Sequence, residues 1–375
     1  MCLASYRVLV AVGMVTVGGL LASAVAADRE RADASESGAV AQAVERGIEF
    51  LRSKGQAQDG SFSGQTGIGV TALVATAILR HGRTADDPLV AKSLEYLKGF
   101  VQPDGGIYVT DTFHKNYETC LALVAFQAAN GDGRYNDLIK SAEKFIKGAQ
   151  WDEGEGIDKS HFNYGGAGYG RNKRPDLSNT TFLLDALQAV GSGPDDPNVQ
   201  NALIFVSRCQ NLESEKNATP FAQQGPNDGG FYYTPAAGGV SFAGEAEGGG
   251  LRSYGSMTYA GLKSMIYAGL GPDDKRVKAA LDWIRKHYGL NENPNMGQQG
   301  LYYYYHTFAK ALAATKLETL EDDQGNKHDW RADLRKELIS RQREDGSWLN
   351  DETRWMEGDP NLVTGYALLS LANCK

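Results

Sequence analysis

Six threonines set the rhythm of this chain, and that rhythm limits what it can fold into. They lie in the segments GVTALVA, ETCLALV, NTTFLLD, MTYAGLK, HTFAKAL and VTGYALL, at Thr71, Thr119, Thr180, Thr258, Thr307 and Thr364. Seven residues after each comes an apolar residue: Ile78, Phe126, Leu187, Met265, Ala314 and Leu371. This is helical spacing, with the threonine in the first turn. Ahead of these helices lie glycine turns of the outline Gln-x3-Gly-x-aromatic. Gln56, Gly60 and Phe62 make the first, Gln102, Gly106 and Tyr108 the second, and Gln342, Gly346 and Trp348 the last. Gln150 with Gly154 is a partial copy, an insertion separates Gln210 from the DGGFYY at Asp228–Tyr233, and Tyr288 stands where the fifth glutamine would.

A repeat of this kind is a helix–turn–helix unit that cannot bury its apolar face alone, so neighbours must stack. The first helix of each unit carries charge on one face, as in VERGIEFLRSK, and belongs outside; the second is almost wholly apolar and belongs inside. The expected fold is all-α: six units, twelve helices, closed into an (α/α)6 toroid of inner and outer layers, with an open solenoid as the alternative. Glycine-rich insertions at 151–175 and 211–252, both rich in tyrosine, are expected to form ordered turns that pack across an opening.

The repeats begin only at residue 39. Before them an uncharged run, Val8–Ala27, follows Arg7 and ends in Ala24-Val25-Ala26. This reads as a secretory signal peptide over 1–26 and a linker over 27–38, ahead of one domain over 39–375. The protein is therefore expected to be exported, periplasmic or extracellular, with a retained N-terminal membrane anchor as the alternative. Beyond that segment nothing could span a bilayer. A net charge of −8 argues against a nucleic-acid partner. Cys120, Cys209 and Cys374 share no metal-ligand spacing, so neither metal nor cofactor is expected; the first two read as buried thiols, with one disulfide as the alternative.

The Gln-x3-Gly-x-aromatic units resemble the QW repeats of the squalene cyclase and prenyltransferase superfamily, over nearly all of the mature chain. The resemblance implies an alpha-alpha toroid with a structural role for the turn motif. PDLSNTT, at Pro175–Thr181, is similar to the Asp-x-Asp-Asp-Thr acid motif of the class II triterpene cyclases. Asp176 matches its first aspartate, but Ser178 and Asn179 take the places of the acids that follow. A serine hydroxyl cannot protonate an alkene. Tyr305-His306-Thr307 is similar to the Tyr-His-Thr of the zinc prenyltransferases, whose Asp-x-Cys pair falls on Tyr254 and Ser256, poor zinc ligands. The family's acid and zinc sets are thus both substituted.

Function should lie where the units differ, at the inner-helix N-termini. The leading expectation is a toroid that binds a hydrophobic or amphipathic small molecule, or a protein partner, through Tyr117, Ser178, Asn179, Tyr254, Ser256 and Tyr305. The alternative is a divergent enzyme, terpene cyclase-like or a glycan lyase or hydrolase. It would use Glu118 and His306 as a carboxylate–imidazole pair, with Asp176 as a further acid. Asn179-Thr180-Thr181 and Asn217-Ala218-Thr219 also match the N-glycosylation pattern.

Overall fold

A computed structural model describes residues 36–171 and 173–375. The leader reading at 1–26, and the linker up to 35, lie outside the described residues. Apart from one two-stranded ribbon the regular structure is helical. Helix α1 spans 36–50 and runs into a π turn at Leu51–Gly55. It is followed by α2 (Gly69–Arg80), α3 (Pro88–Lys98), α4 (Lys115–Ala128), α5 (Asn136–Lys147) and α6 (Leu177–Ala189). Then come α7 (Pro197–Arg208), the short α8 (Pro220–Gln224), α9 (Gly255–Tyr267), α10 (Lys275–Lys286), α11 (Leu301–Thr315), α12 (Trp330–Ser340) and α13 (Pro360–Ala372). The ribbon, β1 (Leu320–Glu321) with β2 (Lys327–His328), joins α11 to α12 in antiparallel register, Leu320 opposite His328. No strand was expected there; Asp322, which accepts the backbone N–H groups of Gln324 and Asn326, builds its turn.

Aspartates cap four of the outer helices. The Asp87, Asp196, Asp274 and Asp329 carboxylates accept N–H groups from the first turns of α3, α7, α10 and α12, and proline opens α3 and α7. An outer helix buries one stripe, such as Val277, Ala280, Leu281 and Ile284 of α10, at helical spacing. The inner helices are buried nearly all round, as in α2 and α9. Helix α2 packs on α4, α4 on α6, α6 on α9, α9 on α11, α11 on α13, and α13 returns to α2. At that return the bare backbone of Gly365 admits the Leu73 side chain.

The turn motif explains the stacking. Gln56 donates to Leu89 O at 2.8 Å, Gln150 to Asn198 O at 2.9 Å and Gln210 to Arg276 O at 2.9 Å, so each glutamine grips the next outer helix. Gln342 donates to Ala43 O at 2.8 Å, which ties the last unit to the first. Tyr288 makes the equivalent link through its hydroxyl, 2.7 Å from the Asp333 carboxylate on α12. At Gly60, Gly105, Gly165, Gly229 and Gly346 the turn backbone has φ between 81° and 93° and abuts a carbonyl of the next outer helix, leaving no room for a side chain.

Each turn is then fastened to its own inner helix. The hydroxyls of Thr71, Thr119, Thr180, Thr258 and Thr364 accept the backbone N–H groups of Phe62, Ile107, Ala167, Phe231 and Trp348, at 2.9–3.1 Å. These pairings correct two readings of the repeat. In the second unit the register is one residue earlier: Val101 bridges Ile107 as Gln56 bridges Phe62, so Gly105 and Ile107 fill the motif rather than Gly106 and Tyr108. Gln102 is left out of position and donates to Tyr108 O within its own turn. In the third unit Gly165, not Gly154, completes the turn, because Gln150 donates to Gly165 O at 2.8 Å across the insertion.

Both insertions are internally bonded. Trp151 exchanges backbone hydrogen bonds with Gly165 and Gly166, and its indole N–H donates to Lys173 O at 2.9 Å. Asn211 clamps the second insertion by donating to Leu251 O at 2.6 Å and Ser253 Oγ at 2.8 Å. Asn179 and Asn217, the two glycosylation-pattern asparagines, are buried with their amides hydrogen-bonded, so the folded protein offers neither to a glycan. Cys120, Cys209 and Cys374 are all buried free thiols.

Candidate functional site

A chamber of about 480 Å³ opens among the N-terminal ends of the inner helices. Gly69 and Val70 come to it from α2, Tyr117 and Glu118 from α4, Ser178 and Asn179 from α6, Ser256 and Met257 from α9, Tyr303 from α11, and Leu362 and Tyr366 from α13. Its rim is made of loops that carry His114, Tyr169, Arg174, Tyr233, Phe242 and Trp355. The wall is chiefly aromatic. Phe182 meets Tyr117 edge-on at 5.1 Å and Tyr303 at 6.3 Å, Tyr303 meets Tyr366 at 5.9 Å, and Phe242 meets Trp355 at 5.3 Å. Such rings hold one another in place and present a rigid apolar surface.

Polar groups interrupt the wall, and several are engaged. Ser178 Oγ lies 3.0 Å from the Tyr303 hydroxyl. The Ser256 N–H donates to Asn293 Oδ1 at 2.9 Å. Glu118 accepts the Val109 N–H at 2.8 Å, which pins the loop before α4; burial pushes its carboxyl above the usual range. Glu357 accepts the Tyr303 N–H at 2.8 Å and the Asn350 amide at 2.6 Å, so a carboxylate from the last unit caps the N-terminus of α11 in the fifth. Burial raises its pKa as well. Asn179 is only half engaged: its Nδ2 donates to Asp176 Oδ2 at 2.8 Å, while its buried Oδ1 has no partner.

The expected site residues divide between two places. Tyr117, Glu118, Ser178, Asn179, Tyr254 and Ser256 come together in the chamber. Asp176 lies behind it as the N-cap of α6, accepting the Asn179 N–H at 2.8 Å; burial pushes its pKa up to about 6 against the hydrogen bonds of that cap. Tyr305 and His306 are elsewhere. Helix α11 begins at Leu301, so Thr307 lies two to four residues deeper in its helix than its counterparts, and the chamber-facing residue of this helix is Tyr303. Tyr305 donates to Leu290 O at 2.6 Å, between inner and outer layers. His306 lines a second, deeper chamber of about 240 Å³ with Asp185 and Lys310, and Phe182 borders both chambers. Glu118 and His306 do not share a cavity.

Sequence reasoning passed over Tyr303, Tyr366, Phe182 and Glu357. The run of four tyrosines at Tyr302–Tyr305 hid which of them faces inward, and only the true start of α11 separates them. Glu357 precedes Gly358-Asp359-Pro360 and reads as part of the α13 cap; nothing local indicates that it serves another helix. Among the described residues no three His, Cys, Asp or Glu side chains gather as a metal site would require.

No protein family profile matches the chain. No curated protein matches it either. Among solved structures it is similar to a glycosidase in complex with glucose, at 12% identity and a TM-score of 0.48 over 89% of this chain and 97% of that one. It is similar also to the type II terpene cyclase MstE from Scytonema, in complex with geranylgeranyl dihydroxybenzoate, at 13% identity and a TM-score of 0.35 over 91% and 98%. A protein from Actinoplanes aligns at 14% identity and a TM-score of 0.38 over 89% and 99%.

Proposed function

We propose that this chain is an exported (α/α)6 toroid, built from cyclase-type repeats, whose aromatic chamber binds a hydrophobic or amphipathic small molecule. The single observation that carries the reading is the unpartnered, buried Asn179 Oδ1 in a wall of aromatic rings. A buried acceptor without a donor costs about 1–3 kcal/mol, and a ligand that turns the Asn179 side chain toward the chamber and offers it one hydroxyl or N–H among apolar atoms would recover it. The cycle of inner-helix contacts and the Gln342–Ala43 link support the closed toroid. The layout of leader over 1–26, linker over 27–38 and domain over 39–375 belongs to the same proposal.

The enzyme reading keeps one support. Glu118 borders the chamber with a raised pKa, as a general acid would, but its Oε2 is committed to the Val109 N–H. Terpene cyclase-like or glycan chemistry would have to start from this carboxyl without His306. Native mass spectrometry of the protein purified after export tests the binding reading and reports leader cleavage in the same spectrum. A co-purifying apolar molecule is expected, and Asn179→Leu should weaken its retention about tenfold. Met257→Trp, which fills the chamber, should abolish it. Absence of any such molecule, together with no binding of an added isoprenoid alcohol or medium-chain fatty acid, would sink the proposal.

A further inference from the structure

The second chamber lies between the C-terminal halves of the inner helices and is lined by Arg80, Cys120, Asp185, Tyr267, His306 and Lys310. Its charges do not balance. Lys263 Nζ lies 2.5 Å from Asp185 Oδ1, and Lys310 Nζ lies 2.7 Å from Asp185 Oδ2. One carboxylate therefore faces two ammonium groups, of which Lys263 is 1% exposed. Arg80 stands at the mouth, and no carboxylate pairs with it among the described residues. A buried cation without a counter-charge is expensive, and an ion cluster serving only stability would be closer to neutral. The strain registers on Lys263, whose ammonium burial drives down to about 7 in spite of Asp185.

Helix dipoles supply part of the missing charge at Arg80, in the last turn of α2, but not at the two lysines. The negative end of a helix is felt within its last turn. Lys263 and Lys310 lie more than a turn before the ends of α9 and α11, and helical side chains lean toward the N-terminus, away from those ends. His306 adds a second, independent sign. It is 7% exposed, and its Nδ1 has no partner. An unpaired N–H is a rarer and costlier orphan than an unpaired acceptor, so the ring's proton belongs on Nε2, leaving one N–H to donate. Burial and the nearby Lys310 keep this imidazole neutral.

We propose that the second chamber is an anion site for a small oxyanion headgroup, with Lys310 and Arg80 meeting its charge and the His306 N–H one of its oxygens. The inference stands apart from the ligand of the aromatic chamber. Inorganic phosphate and propionate, each titrated into the mature protein against chloride at equal ionic strength, test it by calorimetry and thermal shift. At least one oxyanion should bind with a Kd of about 1 mM or tighter and raise the melting temperature, while chloride does neither. A response to phosphate alone assigns a phosphoryl group, and a response to propionate alone a carboxylate. Lys310→Gln and Arg80→Gln should each weaken binding about tenfold. Arg80 is exposed, so its variant reports even if Lys310→Gln fails to fold. Asn179→Leu, in the other chamber, should leave the affinity unchanged. Failure of both oxyanions to bind beyond chloride, or wild-type affinity in Arg80→Gln, would overturn the site.

Discussion

At the scale of the residue, two glycines with the same backbone angle separate conformational cost from packing cost. Gly191 and Gly346 both have φ of 90°. A methyl group on Gly191 would meet nothing within 4 Å, whereas on Gly346 it would strike Arg46 O and the Arg46 backbone of α1. Gly191→Ala should therefore cost about 1 kcal/mol, the price of a left-handed residue with a side chain. Gly346→Ala should cost about 3 kcal/mol or more, because the last turn must also lift away from the first helix. Urea denaturation of the two variants measures the difference; equal losses would mean that the turn is not held against α1. Both glycines were visible in the sequence, but only Gly346 stands in the repeated motif, and that repetition marked it.

Among elements, α6 begins at Leu177 with Asp176 as its cap. Its carboxyl is buried, and its folded pKa of about 6 lies above the ordinary 3.8. The native state thus holds this proton more tightly than the unfolded chain. The stability so gained is fully present below about pH 4 and is lost as the pH rises through about 6. The loss is on the order of 2–3 kcal/mol. Asp176→Asn keeps a good cap without the titrating group. Melting curves between pH 4 and pH 7 should therefore fall more steeply for the wild type than for the variant, since Glu118 and Glu357 titrate alike in both. Parallel curves would show that the buried carboxyl is not shifted. Element α11 teaches the opposite lesson about legibility. Its four tyrosines and His-Thr pair suggested alignment on Thr307, yet Gly300 and the distant Glu357 start the helix earlier, and His306 is carried away from Glu118.

For the molecule as a whole, the contacts between the turn after α12 and helix α1 decide whether the ends of the helical domain are held together. Gln342 donates both to Gly346 O in its own turn and to Ala43 O in α1, while Arg46 of α1 donates back to Arg343 O at 2.6 Å. Gln342→Ala strips two partly buried bonds at this junction and should cost about 1–3 kcal/mol. Gln102→Ala removes bonds confined to one turn and should cost under about 1 kcal/mol. Chemical denaturation of the two variants compares them; the reverse order would deny the junction its role.

The helical repeat, the apolar inner and one-sided outer helices, and the turn glycines Gly60 and Gly346 were legible in the sequence alone, whereas the turns at Gly105 and Gly165 were not. Each rests on local rules, helical spacing or left-handed backbone, that act within a few residues and recur along the chain. The division of the interior into an aromatic chamber and a cationic one was decided only by tertiary structure. So were the capping of α11 by Glu357 and the parting of Glu118 from His306. Those facts depend on where each helix starts relative to its neighbours. A shift of one turn, set by a residue more than fifty positions away, leaves the local pattern intact while moving a side chain about 5 Å along the helix axis, from one cavity to the next.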